Sequence, residues 1–356
     1  MTRQIEPVDI TSPRNPRVHA LTRLRRPAER RRRGVVLVEG AVLLRHALAG
    51  GWRPVEVFYA PDRVSAVDRA IVATARRAGA QVWSVGPAAL ARLSARDGPS
   101  TVVATVASPR RHTLAELPRR PCPLVVVAQS IEKPGNLGVI ARSASAAGAD
   151  ALLVADPLTD PFGAGCVHAS LGAMFWLPVA VADTPDILAW LRRGDVRVLV
   201  ATPAGSARHD EQDMAAPTAV VVGNEHVGVD ERWLAAGIGV RIDMVGPMDS
   251  LNASVAAAVL LFEAARQRSR GTPRSAGGTR SMGTNDPGGD DSSARAARRC
   301  RLRPVSAGFG SGAGSLGLGR RVNRCGRGSA NPPRPTAPRP RSVPCARRTR
   351  RCGSPG

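Results

Sequence analysis

Three short stretches, each following an apolar run, hold the polar groups that could do chemistry. The first, residues 122–156 (CPLVVVAQSIEKPGNLGVIARSASAAGADALLVAD), carries Asn136 and, six residues on, Arg142 in an otherwise apolar unit. The second, residues 219–237 (AVVVGNEHVGVDERWLAAG), carries Asn224 and Glu225. The third, residues 240–268 (VRIDMVGPMDSLNASVAAAVLLFEAARQR), carries Ser250 and Asn252. Taken singly these residues have plainer uses. Asn136 follows Pro-Gly and suits a turn, Glu225 suits a solvated loop, and Ser250 or Asn252 suits a helix cap. Arg142 lies on a small-residue helix, where burial without a partner would be costly, so it calls for one.

The patterns that are missing narrow the chemistry. No strand is followed by G-x-G-x-x-G, which argues against a nicotinamide or flavin enzyme, and the phosphate-cradling G-x-x-x-x-G-K-[ST] loop is missing too. His168 and His226 have no G-x-S-x-G context, so no Ser-His-Asp arrangement is visible. The cysteines (Cys122, Cys166, Cys300, Cys325, Cys345 and Cys352) include no C-x-x-C pair, so no metal site is expected.

The elements that must position these groups follow from the apolar pattern. Residues 124–128 read as a strand, 131–138 as a loop, 139–147 as a helix stopped by Gly148, and 151–155 as a second, parallel strand. In such units ligands sit at the loop leaving the strand's carboxyl end. The same domain continues through a helix over 186–193 and a strand over 196–201, and the second and third polar stretches each repeat the order strand, loop, helix. The last helix, with Leu260, Leu261 and Phe262 among alanines, must pack closely in a core or an interface. Upstream, residues 34–107 alternate apolar runs (VVLVEG, VEVFYA, QVWSV, TVVATV) with amphipathic ones, the pattern of a small α/β domain.

Residues 1–33 form a basic segment, with Val18, Leu21 and Leu24 on one helical face and arginine on the other, a plausible phosphate contact. Residues 108–123 read as a proline- and arginine-rich linker. Residues 270–356 are rich in Gly, Pro, Ser and Arg, which predicts disorder. The small-residue helix and the apolar strands between the linker and this tail make 124–269 the second domain.

Formal net charge is +23, but 19 of the 51 basic residues and 3 of the 28 acidic ones lie from Arg270 onward, leaving net +7 for the first 269 residues. Lys133 is the sole lysine. A basic excess makes nucleic acid the first partner to consider. No run approaches the length needed to span a bilayer and the first residues lack a signal-peptide core, so no membrane contact and a cytoplasmic location are expected.

The stretches NLGVIARSASAAG, VVVGNEHVG and MDSLNASVAAAVLLFEAARQR resemble, in order and internal spacing, the motifs of the SpoU (TrmH-type) RNA ribose 2′-O-methyltransferases of the SPOUT superfamily. The resemblance covers residues 10–268. It includes an N-terminal region (TSPRNPRV, LVEG) similar to the family's eL30-like substrate-binding domain, and IEKPGNLG is most like the ribosome-modifying branch. It implies an α/β SPOUT domain with a deep trefoil knot formed by the last two motifs, an obligate homodimer, and S-adenosylmethionine bound by backbone of the knotted loops. By position the cofactor residues would be Gly223, Ile242 and Leu251. The reacting groups would be Asn136, Arg142, Glu225, Ser250 and Asn252.

The substrate so implied is RNA, ribosomal rather than transfer RNA. The alternatives are a transfer RNA ribose methyltransferase, or an RNA-binding or assembly protein of the same fold with weakened catalysis. Arginine is too weak an acid to serve as a base, so Arg142 would grip a phosphate or the target hydroxyl. Where the family's third motif usually begins Ile-Pro-Met, this chain has Ile242, Asp243 and Met244, which would set a carboxylate beside the cofactor. Gly163, Ala164, Gly165 and His168 likewise stand where relatives tend to have Asn-Pro-Asn and Arg. Removing residues 271–356 is expected to leave the protein folded and soluble, checked by soluble yield and circular dichroism; loss of soluble protein would make the tail structural.

Overall fold

A computed structural model describes residues 9–94, 100–108, 112–118 and 120–270; the tail expected to be disordered lies, from residue 271, outside the described residues. The first part of the chain forms α1 (Pro16–Thr22), α2 (Pro27–Arg33), β1 (Val35–Glu39), α3 (Ala41–Ala49), β2 (Pro54–Tyr59), α4 (Ala66–Arg77), β3 (Gln81–Ser84), α5 (Pro87–Leu93) and β4 (Val102–Ala107). The strands make a four-stranded sheet of order β1-β4-β2-β3.

Residues 10–33 are not a separate basic segment. Asn15 caps α1 by accepting from the Arg17 amide at 2.9 Å, which turns Val18 and Leu21 inward. With Ile10 and Leu24 they bury against Leu37, Phe58 and Leu90. The sheet has a second apolar face, and this segment covers it.

The second part forms β5 (Leu124–Gln129), α6 (Pro134–Ala146), β6 (Ala151–Ala155), α7 (Ala164–Ala169), β7 (Val179–Ala182), α8 (Thr184–Arg193), β8 (Arg197–Ala201), β9 (Ala207–Arg208), β10 (Thr218–Val222), α9 (Glu231–Ala236), β11 (Ile238–Arg241) and α10 (Ala253–Arg270). Its strands pair in parallel in the order β7-β6-β5-β10-β8-β11-β9. β5 is buried along its whole length, as a central strand covered on both faces must be. Leu124, Val126 and Ala128 share one core with residues of α6 and α10, and Val125 and Val127 share another with α8 and α9.

Two boundaries differ from the sequence expectation. α6 begins at Pro134 rather than near residue 139, because proline at the first helical position lacks only a donor that would be unpaired anyway and already has helical φ. Asn136 therefore lies in a helical first turn instead of a loop. The expected linker is no free tether: His112 bridges to Ala180 beside β7, Thr113 and Glu116 close a capping box, and Leu117 is buried.

The two parts share one continuous core that includes Val36, Leu44 and Val106 from the first and Phe162 and Phe175 from the second. Trp52 packs 4.7 Å from the Phe175 ring and 5.8 Å from that of Phe162, and its indole N–H donates to the Phe175 carbonyl at 3.2 Å. Beside them Arg30 pairs with Asp160 at 2.7 Å, both side chains almost wholly buried, and also donates to the Leu24 and Arg25 carbonyls. Asp160→Ala would leave this guanidinium buried without its counter-charge. It is expected to cost about 3–5 kcal/mol of stability, read as a lower midpoint in chemical denaturation; an unchanged midpoint would remove the pair from the fold's support.

Candidate active site

The site lies at the carboxyl ends of the central strands, where the sheet leaves backbone amides and loops free. Asn136, in the first turn of α6, donates through Nδ2 to Glu225 Oε1, on the loop after β10. Asn252 Nδ2 in turn donates to Asn136 Oδ1 at 3.3 Å. The other face of Asn252 caps α10, its Oδ1 accepting from the Ser254 amide at 2.9 Å and hydroxyl at 2.6 Å. Capping and site building are thus done by one side chain. Glu225 Oε2 is buried without a hydrogen-bond partner among the described residues, so the carboxylate keeps an acceptor for an incoming donor.

Asn224 holds these loops in register. It is 8% exposed, and Nδ2 donates to the Ser130 carbonyl at 3.1 Å and to Glu132 Oε1 at 3.0 Å. Its Oδ1 accepts from the amides of His226 at 2.8 Å and Val227 at 3.1 Å. Ser130, which offers that carbonyl, sits in the left-handed region at φ 50° as the chain leaves β5. The sequence marked Asn224 as a polar group of its stretch but gave it no role, since a turn asparagine and a buried cross-link look alike before folding.

A cavity of about 440 Å³ opens beside this network, within the range of small-molecule sites. Gly223, Ile242 and Leu251 all line it, as do Glu225 and Ser250. Gly223 has no room for a side chain: a Cβ there would meet the Gly228 carbonyl carbon at 2.6 Å and Val229 Cγ1 at 2.7 Å. Asn224 and Gly228 exchange backbone hydrogen bonds at 3.0 Å, closing the loop that makes this wall. Thr202 and Pro203, directly after β8, complete the lining. They were missed in the sequence, although the rule that ligands sit at strand carboxyl ends points to them.

Two expectations are corrected by geometry. Asp243 does not enter the cavity: it turns outward to Arg241 Nε at 2.9 Å and to an Arg208 nitrogen at 3.1 Å, while its neighbours Ile242 and Met244 line the wall. The arginines of β9 and β11 thus hold the carboxylate on the outer side. Arg142 is exposed on α6 rather than buried, lies outside the cavity lining, and has no hydrogen-bond or ion-pair partner among the described residues. Six residues along a helix is a rotation of about 240°, so Arg142 and Asn136 cannot share a face. The structure therefore brings Asn136, Glu225, Ser250 and Asn252 together and leaves Arg142 on the outer surface of the chain.

Cysteine chemistry is not available here. Burial, with the nearby charge of Asp160, pushes the Cys166 thiol up to about 12, so it stays protonated. Among the described residues no cluster of His, Cys, Asp and Glu could hold a metal ion.

Residues 123–262 match the model of the SpoU rRNA Methylase family, and residues 15–104 that of an MRM3-like substrate binding domain. The chain is 34% identical to the 23S rRNA (uridine(2479)-2′-O)-methyltransferase of Streptomyces viridochromogenes, over 68% of this chain and 86% of that protein. The chain belongs to the SpoU methylase family. The AdoMet-bound rRNA methyltransferase of Sinorhizobium meliloti superposes with a TM-score of 0.65 at 32% identity, over 72% of this chain and 97% of that one. The tRNA (guanosine(18)-2′-O)-methyltransferase of Thermus thermophilus is 37% identical but over only 45% of this SpoU-family chain, and 83% of its own length. The parallel sheet and the N-terminal substrate-binding domain thus match those of SpoU methyltransferase structures.

Gly223→Ala would force a methyl group into the loop backbone. It is expected to weaken S-adenosylmethionine binding at least about tenfold while leaving the fold intact. Titration calorimetry with a dichroism control measures this; unchanged affinity would place the ligand elsewhere.

Proposed function

We propose that this SpoU-family protein transfers a methyl group from S-adenosylmethionine to a ribose 2′-hydroxyl of RNA, ribosomal RNA before transfer RNA. The observation that carries the reading is the bonded Asn136–Glu225–Asn252 group at the edge of a cavity whose wall tolerates only glycine at 223. The residues present fit the cofactor: Gly223 lets the loop after β10 close against Gly228 and Val229 as one wall, Ile242 and Leu251 offer apolar surface to an adenine, and Asp243 is held away by Arg241. When bound, S-adenosylmethionine supplies a strongly electrophilic methyl group, so the protein's task is mainly to hold the acceptor oxygen in line.

Each side chain then has a part. Glu225, with its unpartnered Oε2, would accept a hydrogen bond from the target hydroxyl and take up its proton as the O–CH3 bond forms and the S–CH3 bond breaks to leave S-adenosylhomocysteine, and Asn136 fixes that carboxylate through its other oxygen. Asn252 locks Asn136 and ties the group to α10. Ser250, at the cavity wall, offers a hydroxyl to the sugar. Recognition of a 2′-hydroxyl is also what separates RNA from DNA.

Arg142 belongs in this reading as a group delivered to a second subunit. Its stripe on α6 includes Val139, 38% exposed, and α10, packed against α6, exposes Val255 at 46% and Phe262 at 51%. Such an apolar face supports a homodimer in which Arg142 grips a phosphate beside the partner's site. A trefoil knot fits the same path: from β11 near the sheet edge the chain returns past the β10 loop to lay α10 on α6. A cytoplasmic location is part of the proposal; among the described residues no helix is long and apolar enough to cross a membrane.

Ribosomal RNA is favoured because the ribosomal-RNA relative aligns over both the substrate-binding and the methyltransferase parts, whereas the transfer-RNA relative aligns over less than half of the chain. The reading as a binding protein with failed catalysis loses its main support once Asp243 faces outward. Arg142→Ala is expected to lower methyl transfer to ribosomal RNA by about a hundredfold, the scale of lost positioning, with dimer mass and S-adenosylmethionine affinity unchanged. Turnover is read from tritiated methyl incorporation and mass by light scattering; wild-type turnover would take Arg142 out of the mechanism.

A further inference from the structure

Asp249 is a charged side chain of the cavity wall that methyl transfer does not use. It is exposed, and no cation pairs with it among the described residues. Its Oδ1 accepts from the Ser250 hydroxyl at 3.1 Å. Ser250 thereby spends its proton on a neighbour and keeps only acceptor capacity for the cavity. Glu225 is the second carboxylate of the wall, with Oε1 bonded to Asn136 and Oε2 without a partner among the described residues. No lysine or arginine is among the described residues that line the space, and His226 is the other titratable group there. The wall therefore offers two negative charges and no arginine or lysine to balance them.

This is not for want of arginine, since basic residues outnumber acidic ones in the first 269 residues. Carboxylates elsewhere take arginine partners: Asp160 has Arg30, Asp230 has Arg232 and Glu263 has Arg266. Even at the sheet edge beside the cavity, Arg208 and Arg241 both reach Asp243, which lies outside the lining, and Arg208 holds Asp210 as well. Two like charges facing one space disfavour each other, and a cation placed between them relieves both.

We propose that Asp249, together with Glu225, makes the cavity select by charge, holding S-adenosylmethionine, whose sulfur is cationic, in preference to S-adenosylhomocysteine, whose sulfur is neutral. The inference rests on the S-adenosylmethionine reading and assigns Asp249 as a specificity residue. The two molecules share the adenosine, the amino group and the carboxylate, so contacts to those parts cancel in a comparison of affinities. When the methyl group passes to the ribose oxygen, the S–CH3 bonding pair stays on sulfur and cancels its charge, while the hydroxyl proton goes to Glu225. Asp249 then faces a neutral thioether beside a neutral carboxyl, so the attraction that filled the cavity is gone when the product has to leave. The same wall disfavours adenine nucleotides, because their phosphates are anionic.

The test compares the full chain with its Asp249→Asn variant, which keeps the shape and removes the charge. Titration calorimetry without RNA gives the affinities of S-adenosylmethionine, S-adenosylhomocysteine and sinefungin, an analogue with an amino-bearing carbon in place of the methylated sulfur, at low and high salt. The variant is expected to lose at least about threefold of its preference for S-adenosylmethionine over S-adenosylhomocysteine, the scale of a solvent-exposed charge pair. Its affinity for S-adenosylhomocysteine should stay within about twofold of wild type, and sinefungin should follow S-adenosylmethionine. Salt should narrow the wild-type preference toward that of the variant. A preference unchanged by the substitution would overturn the assignment, as would equal weakening of all three ligands, the mark of a residue that only shapes the wall. Wild-type protein that shows the charge preference but leaves RNA unmethylated would sink the RNA reading and leave the selection standing, whereas wild-type protein with no affinity for any of the three would overturn both.

Discussion

The hydrogen bond from Asn136 to Glu225, extended by Asn252, is the constraint on which the rest of the site depends. Its members are far apart in the chain and come from the first turn of α6, the loop after β10 and the start of α10. A carboxamide is well suited to the middle position, since it donates on one side and accepts on the other, and so bonds to both neighbours at once. The result is a carboxylate with one oxygen committed and one open. Everything around it either holds these members in place or keeps the adjoining cavity clear.

Holding them falls to the parallel sheet and to Asn224. The apolar strands β5 and β10 pair in register from Thr218 opposite Leu124 to Val222 opposite Ala128, which brings their two loops out side by side. Asn224 then ties one loop to the other with bonds at 3.0 and 3.1 Å, made stronger by burial away from competing water. Glycine at 223 lets the loop after β10 close on itself as one wall of the cavity, and ion pairs draw Asp243 outward. Arg208 on β9 and Arg241 on β11 hold the Asp243 carboxylate on the outer side.

The N-terminal domain is more than an attached module. Its core runs on into that of the methyltransferase domain, and Trp52 and Arg30 cross the junction as an aromatic contact and a buried ion pair. A rigid junction matters for an enzyme whose substrate is much larger than its active site, because contacts made at one end must fix geometry at the other.

Much of this was legible from residue order. The apolar runs gave the strands of both domains, because a strand buried on both faces needs a continuous hydrophobic stretch and that need is local. The resemblance to the SpoU motifs pointed to Gly223, Ile242 and Leu251, which line the cavity, and to the polar group beside it. What only folding decided was direction. Starting α6 at Pro134 put Asn136 and Arg142 on different faces, and the arginines of β9 and β11 drew Asp243 outward. Residues 10–33 became a cover for an exposed sheet face, and 112–118 a strap against β7. A residue's type is fixed by the chain alone, but the side to which it points depends on where its helix begins and on which distant surface needs covering. Both are settled by contacts between segments that the sequence keeps apart.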